Sequence, residues 1–221
     1  MRQFIKIYAK VTAFIDKRLV NWRNKKLNNR DFSIICNNCW GGAVYRRFGL
    51  PYRSPTAGLY FYADDFVKLC GDLRSYMEAE LEFIPYTESK YKEELERKGQ
   101  QNVPIARLKD IEIIFLHYKT PEEAKEKWER RAARINYDNL IFKFSKMNLC
   151  TEKALQAFDA LEADKKICFL PPEEADTIKC GVSFKSSAGM AEIKYETDEY
   201  ARYIDLTRMI NAKKVCGKHM E

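Results

Sequence analysis

The 221-residue chain has few histidines and no long apolar run. It contains two histidines, His117 and His219, and the second lies two residues from the end. No stretch of about 18 or more apolar residues occurs, which argues against a membrane-spanning helix. The first residues also lack the apolar core and cleavage site of a signal peptide. These absences predict a cytoplasmic protein, with a peripheral position on the inner face of the membrane as the alternative.

The cysteines do not form a recognisable disulfide or zinc pattern. There are seven, an odd number, and most lie inside apolar segments, which is typical of reduced core thiols. Cys36 and Cys39 have CxxC spacing, but no second CxxC supplies further ligands. The sequence therefore predicts free thiols and no metal site.

Positive charge is concentrated at the start of the chain. Residues 1–30 contain nine Lys or Arg and one acid, which gives +8, whereas residues 31–221 contain thirty basic and thirty-one acidic residues, which gives −1. Apolar residues recur at three- and four-residue steps in residues 1–30, which predicts a basic amphipathic helix before a single α/β domain at 31–221. That helix either packs on the body or lies on an anionic membrane surface. No nucleic-acid partner is expected, because the body has no basic stripe interleaved with aromatics.

From residue 31, short apolar runs alternate with helical stretches, which predicts a three-layer α/β/α fold with a mostly parallel or mixed central sheet. The predicted strands are residues 32–36, 59–62, 111–118, 140–144 and 166–170, with short strands around 182–184 and 191–193. The predicted helices are residues 42–48, 64–80, 121–135, 151–161 and 206–212. Thr120 and Pro121 mark one helix start, and Gly49 marks a helix end. Residues 87–102 are highly charged and are expected to be a solvated helix or excursion.

The segment CNNCWGG directly follows the first predicted strand. Ligands of open α/β sheets bind beyond the carboxyl ends of the strands, so this loop is a candidate site. Cys39 lies at the predicted helix start, where the positive end of the helix dipole favours a thiolate. The remaining loop residues are expected to contact a substrate or hold an oxyanion: Asn37, Asn38, Trp40, Gly41 and Gly42. The alternative is that the glycines form a tight turn and the cysteines are buried.

His117 is the histidine best placed to act as a base. It ends the predicted strand 111–118, again at the side of the sheet where sites form. Cys39 and His117 therefore form the candidate nucleophile and base, and Asp138 or Asp110 could orient the imidazole. The alternative is a structural histidine that makes an ordinary hydrogen bond.

Two charged groups offer weaker candidates. Arg131 and Arg134, with Arg130, suit phosphate binding as a substrate contact, although helix-face ion pairs explain them as well. Asp64 and Asp65 could bind a metal and a nucleotide-sugar diphosphate, although the same aspartates serve as helix caps.

Several uncommon strings together resemble a known bacterial family, DUF1919, whose members are often named exopolysaccharide biosynthesis proteins. They are NNCWGG after FSIIC, LPYRSPTAGLYFYADDFVKL, LKDIEIIFLHYKTPEEAKEKWERRAARINYDNLIFKFS and LCTEKALQAFDAL. The resemblance covers roughly residues 30 to 170. It implies a three-layer α/β fold and a role in capsule or exopolysaccharide assembly. A shorter similarity joins Asn38-Cys39 to the Asn-Cys pair of another group of capsule-biosynthesis proteins, described as acetyltransferases.

These observations lead to one preferred function and two alternatives. We expect a transferase that acts on a sugar or glycan intermediate, with acyl transfer from a donor such as an acyl-CoA preferred. One alternative is a glycosyltransferase-like enzyme that uses Asp64, Asp65 and the arginine cluster. The other is a non-catalytic protein that binds a glycan or a partner of the polysaccharide assembly machinery.

Overall fold

The computed structural model describes residues 19–221. The first 18 residues of the predicted basic helix lie outside the described residues, so that part of the prediction is not addressed by the fold. Within residues 19–221, no helix is both long and apolar enough to cross a membrane. All seven cysteines are free thiols, as expected.

The described chain forms nine strands and nine α-helices. The strands are β1 (Ser33–Cys36), β2 (Glu82–Ile84), β3 (Ile105–Leu108), β4 (Ile111–Ile114), β5 (Leu140–Ser145), β6 (Lys165–Leu170), β7 (Gly181–Ser183), β8 (Val215–Cys216) and β9 (His219–Met220). The helices are α1 (residues 19–25 of the described chain), α2 (Trp40–Phe48), α3 (Ala63–Gly71), α4 (Leu73–Met77), α5 (Lys92–Arg97), α6 (Pro121–Ala132), α7 (Glu152–Asp159), α8 (Glu196–Glu199) and α9 (Leu206–Asn211).

The central sheet is mostly parallel, as predicted. Its order is β1-β5-β6, and β7 and β8 both pair with β6 along its other edge. The pairings of β1 with β5, and of β5 with β6, are parallel, whereas the β8-β9 hairpin is antiparallel. The carboxyl ends of β1, β5 and β6 therefore lie along one edge of the sheet, which is where ligand sites form in this architecture.

Both faces of the central sheet are covered, which gives three layers. Ile34 of β1 and Ile141 of β5 pack in one core with residues of α2 and α9. Ile35 and Phe142 point to the other face and pack with residues of α3, α6 and α7. Successive side chains of a strand point to opposite faces, so strands covered on both sides read as nearly continuous apolar runs.

The strand predicted at 111–118 belongs to a different sheet. β4 covers only Ile111–Ile114 and pairs antiparallel with β3, which pairs with β2 in a separate three-stranded sheet. His117 consequently lies beyond β4 and does not end a strand of the central sheet. The β-branched and aromatic composition identified a strand, but composition does not specify which strand it pairs with.

Other boundaries also differ from the predictions. The helix predicted at 64–80 is broken into α3 and α4 at Asp72, whose φ of −146° is not helical. The strand predicted at 59–62 is reduced to a single bridge between Tyr60 and Ile114. No strand forms at 191–193, and the β8-β9 hairpin was not predicted. Within the charged stretch 87–102, Leu95 of α5 is fully buried and packs beside Tyr60.

The predicted helix ends are confirmed in detail. The Thr120 hydroxyl accepts a hydrogen bond from the Glu123 amide at 3.2 Å, directly before Pro121. The Thr151 hydroxyl caps α7 in the same way. Gly49 ends α2 in the left-handed region at φ 64°.

The described end of the basic segment packs on the last turn of α2. A Cβ built on Gly49 would lie 2.5 Å from Cγ1 of Val20 in α1. The Asn24 amide donates a 2.8 Å hydrogen bond to the Phe48 carbonyl, and Leu27 is buried in the core that contains α2. Residues 20–27 are therefore held against the body.

A glycine comparison tests this contact. Gly99→Ala, at φ 66° with open space around it, is expected to lower the free energy of unfolding by about 1–2 kcal/mol through backbone strain alone. Gly49→Ala should cost about 1–3 kcal/mol more, because its new methyl group meets Val20. Urea unfolding of both variants measures the difference. Adding Val20→Ala to Gly49→Ala should recover part of the lost free energy of unfolding. Equal losses for Gly49→Ala and Gly99→Ala would contradict the contact between Gly49 and Val20.

Candidate functional site

Residues of the loop after β1 pack and form hydrogen bonds within the fold. The Asn37 side chain donates to the Ser145 carbonyl and accepts from the Ser145 amide, both at 3.0 Å. This double hydrogen bond continues the β1-β5 ladder past the last pair, Cys36 with Lys143. The Asn37 amide is thus committed to joining the ends of two neighbouring strands.

Asn38 starts the helix and also contacts a buried lysine. Its Oδ1 accepts from the Trp40 amide at 3.1 Å, which begins α2, and from Nζ of Lys143 at 3.4 Å. Its Nδ2 lies 3.2 Å from the sulfur of Met147. Asn38 therefore joins the start of α2 to the buried ammonium group of Lys143.

The Trp-Gly-Gly sequence allows α2 to pack closely on β1. Trp40, Gly41 and Gly42 are all buried. A Cβ on Gly41 would lie 3.0 Å from Cys36 Sγ, and the Gly41 amide donates to that sulfur at 3.3 Å. The observed contacts of these residues are those of helix packing, and their direct contact with a substrate stays a prediction.

The environment of Cys39 opposes the predicted thiolate. Cys39 is half-buried at the start of α2, and its Sγ lies 3.9 Å from the Leu59 carbonyl, a weak hydrogen bond. Burial raises the pKa of the Cys39 thiol from 9.0 to about 11, with smaller contributions from Cys36 and Glu196 in the same direction. Desolvation therefore outweighs the helix dipole, and the thiol is protonated at neutral pH.

His117 lies near the same loop without forming the predicted pair. Its ring is exposed, and its backbone amide donates to the Gly58 carbonyl at 3.1 Å. The hydrogen bond of Cys39 Sγ goes to the neighbouring Leu59 carbonyl rather than to an imidazole. Catalysis by Cys39 and His117 stays a prediction that no contact in the described chain supports.

Asp138 cannot complete a triad with Cys39. It precedes β5, whose first residue Leu140 pairs with Ser33 at the amino end of β1. Cys39 follows the other end of β1, so this four-residue strand, roughly 13 Å long, lies between the two positions. The other predicted orienting residue, Asp110, accepts from Lys68 and Tyr76 instead.

The arginines and the aspartate pair make local structural contacts. Arg131 Nη1 donates to the Ala57 carbonyl at 2.7 Å and also to the Tyr118 hydroxyl. Arg134 is exposed beyond the end of α6. Asp65 is buried, where it accepts from Lys90 at 2.6 Å and from the Glu112 amide at 2.8 Å. Within residues 19–221, no group of three or more His, Cys, Asp or Glu side chains could hold a metal.

Three side chains that the sequence analysis missed meet at the carboxyl edge. Nζ of Lys143 donates to Oε1 of Glu196 and to Oγ of Ser145, and the Ser145 hydroxyl donates to Oε2 of the same glutamate. Lys143 and Ser145 are 0% exposed and Glu196 is 4% exposed. We refer to Lys143, Ser145 and Glu196 as the Lys143 cluster.

Secondary structure explains how the Lys143 cluster forms. Lys143 and Ser145 are two residues apart on β5, so they share the face that carries α2. The Trp40 and Phe169 rings lie 5.4 and 4.9 Å from the ammonium group. Glu196 is the first residue of α8, directly after Tyr195, whose φ of 59° is unusual for a residue with a side chain. The chain thus folds back to place a carboxylate on the sheet.

The sequence did carry a signal for part of this cluster. Lys143 interrupts the apolar strand LIFKFS, and a lysine is almost never fully buried unless it is paired. The partner was not predictable, because Glu196 lies 53 residues away, between the predicted strand at 191–193 and the predicted helix at 206–212. In the described part of the chain, the buried Trp40 Nε1 beside the cluster has no hydrogen-bond partner.

The chain is an α/β protein with a mostly parallel central sheet, and the buried Lys143 cluster lies at the carboxyl edge of that sheet. The family profile described as "Domain of unknown function (DUF1919)" matches residues 10–212. A Haemophilus influenzae relative that bears the name "Uncharacterized protein" is 31% identical over 166 residues, covering 73% of this chain and 74% of the relative. The chain belongs to the DUF1919 family.

The protonated state of Cys39 predicts slow alkylation. Because burial raises the pKa of Cys39 from 9.0 to about 11, roughly 100-fold less thiolate is present at pH 7, so iodoacetamide should modify Cys39 in the folded chain about 100-fold more slowly than in urea. The rate should rise about tenfold per pH unit up to about pH 11. Mass spectrometry of the Cys39 peptide measures the alkylation rate in the folded chain and in urea. Equal rates at pH 7 would show that the folded chain does not disfavour the Cys39 thiolate.

The Lys143 cluster also predicts a large effect on stability. Lys143→Met leaves the Glu196 carboxylate buried without its cation, and should lower the free energy of unfolding by about 3–5 kcal/mol. Adding Glu196→Gln removes the unpaired charge and should recover at least half of the loss. Urea unfolding measures both values.

An exposed ion pair gives the matched control. Lys68 contacts Asp110 at 2.7 Å with side chains 48% and 58% exposed. Lys68→Met should cost less than about 1 kcal/mol. A similar loss at positions 68 and 143 would show that burial does not set the strength of the Lys143 interaction.

Proposed function

We propose that the protein is a transferase of surface-polysaccharide biosynthesis that moves an acyl group to a sugar or glycan intermediate, with Ser145 as the residue that takes the acyl group. The observation that carries the proposal is the hydrogen bond between the Ser145 hydroxyl and the Lys143 amine at the carboxyl edge of the parallel sheet. The polysaccharide role is supported by the names often given to DUF1919 members. Ser145 thereby takes the role of nucleophile that the sequence analysis gave to Cys39.

A serine beside a lysine is a known arrangement for acyl transfer. The Ser145 oxygen attacks the carbonyl of a thioester donor such as an acyl-CoA, and its proton passes to the Lys143 amine. The carbon–sulfur bond breaks, and the leaving thiolate takes that proton from Lys143. A sugar hydroxyl then attacks the carbonyl carbon of the Ser145 ester, and its proton passes to the Lys143 amine. The ester bond to Ser145 breaks, the acyl group stays on the sugar, and Lys143 returns the proton to the serine oxygen.

Glu196 controls this chemistry in the proposed scheme. With α8 in place, Lys143 is paired with the carboxylate and Ser145 is buried. Entry of the donor therefore requires α8 to move away from β5. If Glu196 leaves as the neutral acid, it carries one proton from Lys143 and leaves the amine free to accept the proton of Ser145.

Acylation of the protein is the direct test. The full chain is incubated with acetyl-CoA and with a longer acyl-CoA, and the acyl group is located by peptide mass spectrometry. Wild type and Cys39→Ser should carry one acyl group on Ser145, whereas Ser145→Ala should carry none. Acylation of Cys39, or no acylation of wild type by either donor, would contradict the proposal.

A cellular measurement links the site to polysaccharide. Strains that produce Ser145→Ala or Cys39→Ser at parental protein levels are compared for acylated glycan intermediates by mass spectrometry. The serine variant should lose the acyl group and the cysteine variant should keep it. Loss of glycan acylation in the Cys39→Ser strain alone would indicate that Cys39, and not Ser145, takes the acyl group.

A second candidate function is a non-catalytic protein that binds a glycan or an assembly partner. The complete burial of Lys143 and Ser145 favours it, because a closed ion pair also serves to hold a fold together. In that case Ser145→Ala would leave polysaccharide acylation unchanged, whereas Lys143→Met would still destabilise the protein. The glycosyltransferase alternative has less support, because Asp65 is already bound by Lys90 and the Glu112 amide.

A further inference from the structure

A basic cleft lies on the α2 side of the central sheet, lined in part by residues that follow α8. It has a volume of about 670 Å³ and lies between the end of α1, the last turn of α2 and the segment that includes α9. Its lining includes five cationic side chains and one acidic one: Arg23, Lys26, Arg47, Arg202, Arg208 and Asp205. Arg202 also contacts Glu199 at 3.3 Å. The cleft carries a positive excess that the rest of the body does not share.

An exposed tryptophan stands at the rim of this cleft. Trp22 is 56% exposed, among the few large hydrophobic side chains exposed in residues 19–221. The Lys26 ammonium lies 3.5 Å from the centre of its ring. An indole beside an ammonium group suits the headgroup level of a bilayer, where tryptophan is enriched and basic side chains reach lipid phosphates.

The sequence before the cleft adds charge of the same sign. Residues 1–18 contain five Lys or Arg and a single acid, Asp16. The sequence before the cleft therefore adds a net charge of +4. Positive charge is therefore concentrated at one end of the chain and on one face of the body, whereas residues 31–221 carry a net charge of −1.

We propose that the face formed by Trp22 and the cleft docks on an anionic membrane surface. Each Lys or Arg near such a surface strengthens binding, and the attraction decays within a Debye length. Trp22 adds an apolar contact that electrostatics alone does not provide. The proposal rests on Trp22, Lys26 and the charge of this face, and is independent of the acyl-transfer chemistry assigned to Ser145.

Vesicle co-sedimentation of the full chain tests the docking. Vesicles of phosphatidylglycerol and phosphatidylcholine in equal amounts are compared with pure phosphatidylcholine, each at low and high salt. Wild type should bind the anionic vesicles and lose most binding at high salt. Lys26→Glu with Arg208→Glu should lower the affinity more than about tenfold. Trp22→Ala should lower it with little change in salt dependence.

A second double charge reversal serves as the matched control. Lys92→Glu with Lys153→Glu changes the net charge equally but lies on α5 and α7, both outside the core layer that α2 shares with α9. This control should bind the anionic vesicles like wild type. Circular dichroism and thermal melts check that all variants are folded.

Three outcomes would overturn the proposal. One is no binding of wild type to anionic vesicles, and another is equal loss in the two charge-reversal variants. The third is binding of duplex DNA, measured in parallel, without binding of vesicles, which would assign the basic face to nucleic acid.

Discussion

A fully buried ammonium group on the central strand constrains the rest of this structure. Lys143 lies in β5 between β1 and β6 and is fully buried, so neighbouring groups must stabilise its charge. The fold supplies Glu196 from α8, Ser145 from the same strand and Asn38 from the loop after β1. Because an unpaired buried charge costs several kcal/mol, the chain around residue 196 must return to the sheet for the domain to be stable.

The parallel pairing of β1 with β5 decides what the loop after β1 can do. Asn37 extends this ladder by binding both backbone groups of Ser145, and Gly41 lets α2 approach Cys36. A loop that looks open in the sequence is thereby packed. Cys39 becomes part of a desolvated helix start, where burial raises its pKa. The neighbouring strand carries the buried hydrogen bond between Lys143 and Ser145.

Local features of the fold were predictable, and long-range pairing was not. The Thr120 and Thr151 caps and the Gly49 helix end follow from the chemistry of a few adjacent residues. The strand at Ile111–Ile114 was recognised, but its partner is β3 rather than a strand of the central sheet. Because of that difference, His117 does not end a strand of the central sheet and approaches the loop after β1 through its backbone bond to Gly58. Composition specifies that a strand forms, and the partner depends on which apolar faces meet in the folded chain.

The sequence by itself determined the family, the α/β class, the free cysteines and the separation of a basic start from a near-neutral body, because these depend on composition, local periodicity and recognisable strings. Only the tertiary structure decided which side chains share a site. Lys143 and Glu196 are 53 residues apart, and Asn37 and Ser145 are 108 apart. Such contacts depend on strand register and on the path of the chain between layers. Burial then determines whether a thiol, a hydroxyl or an ammonium group can react.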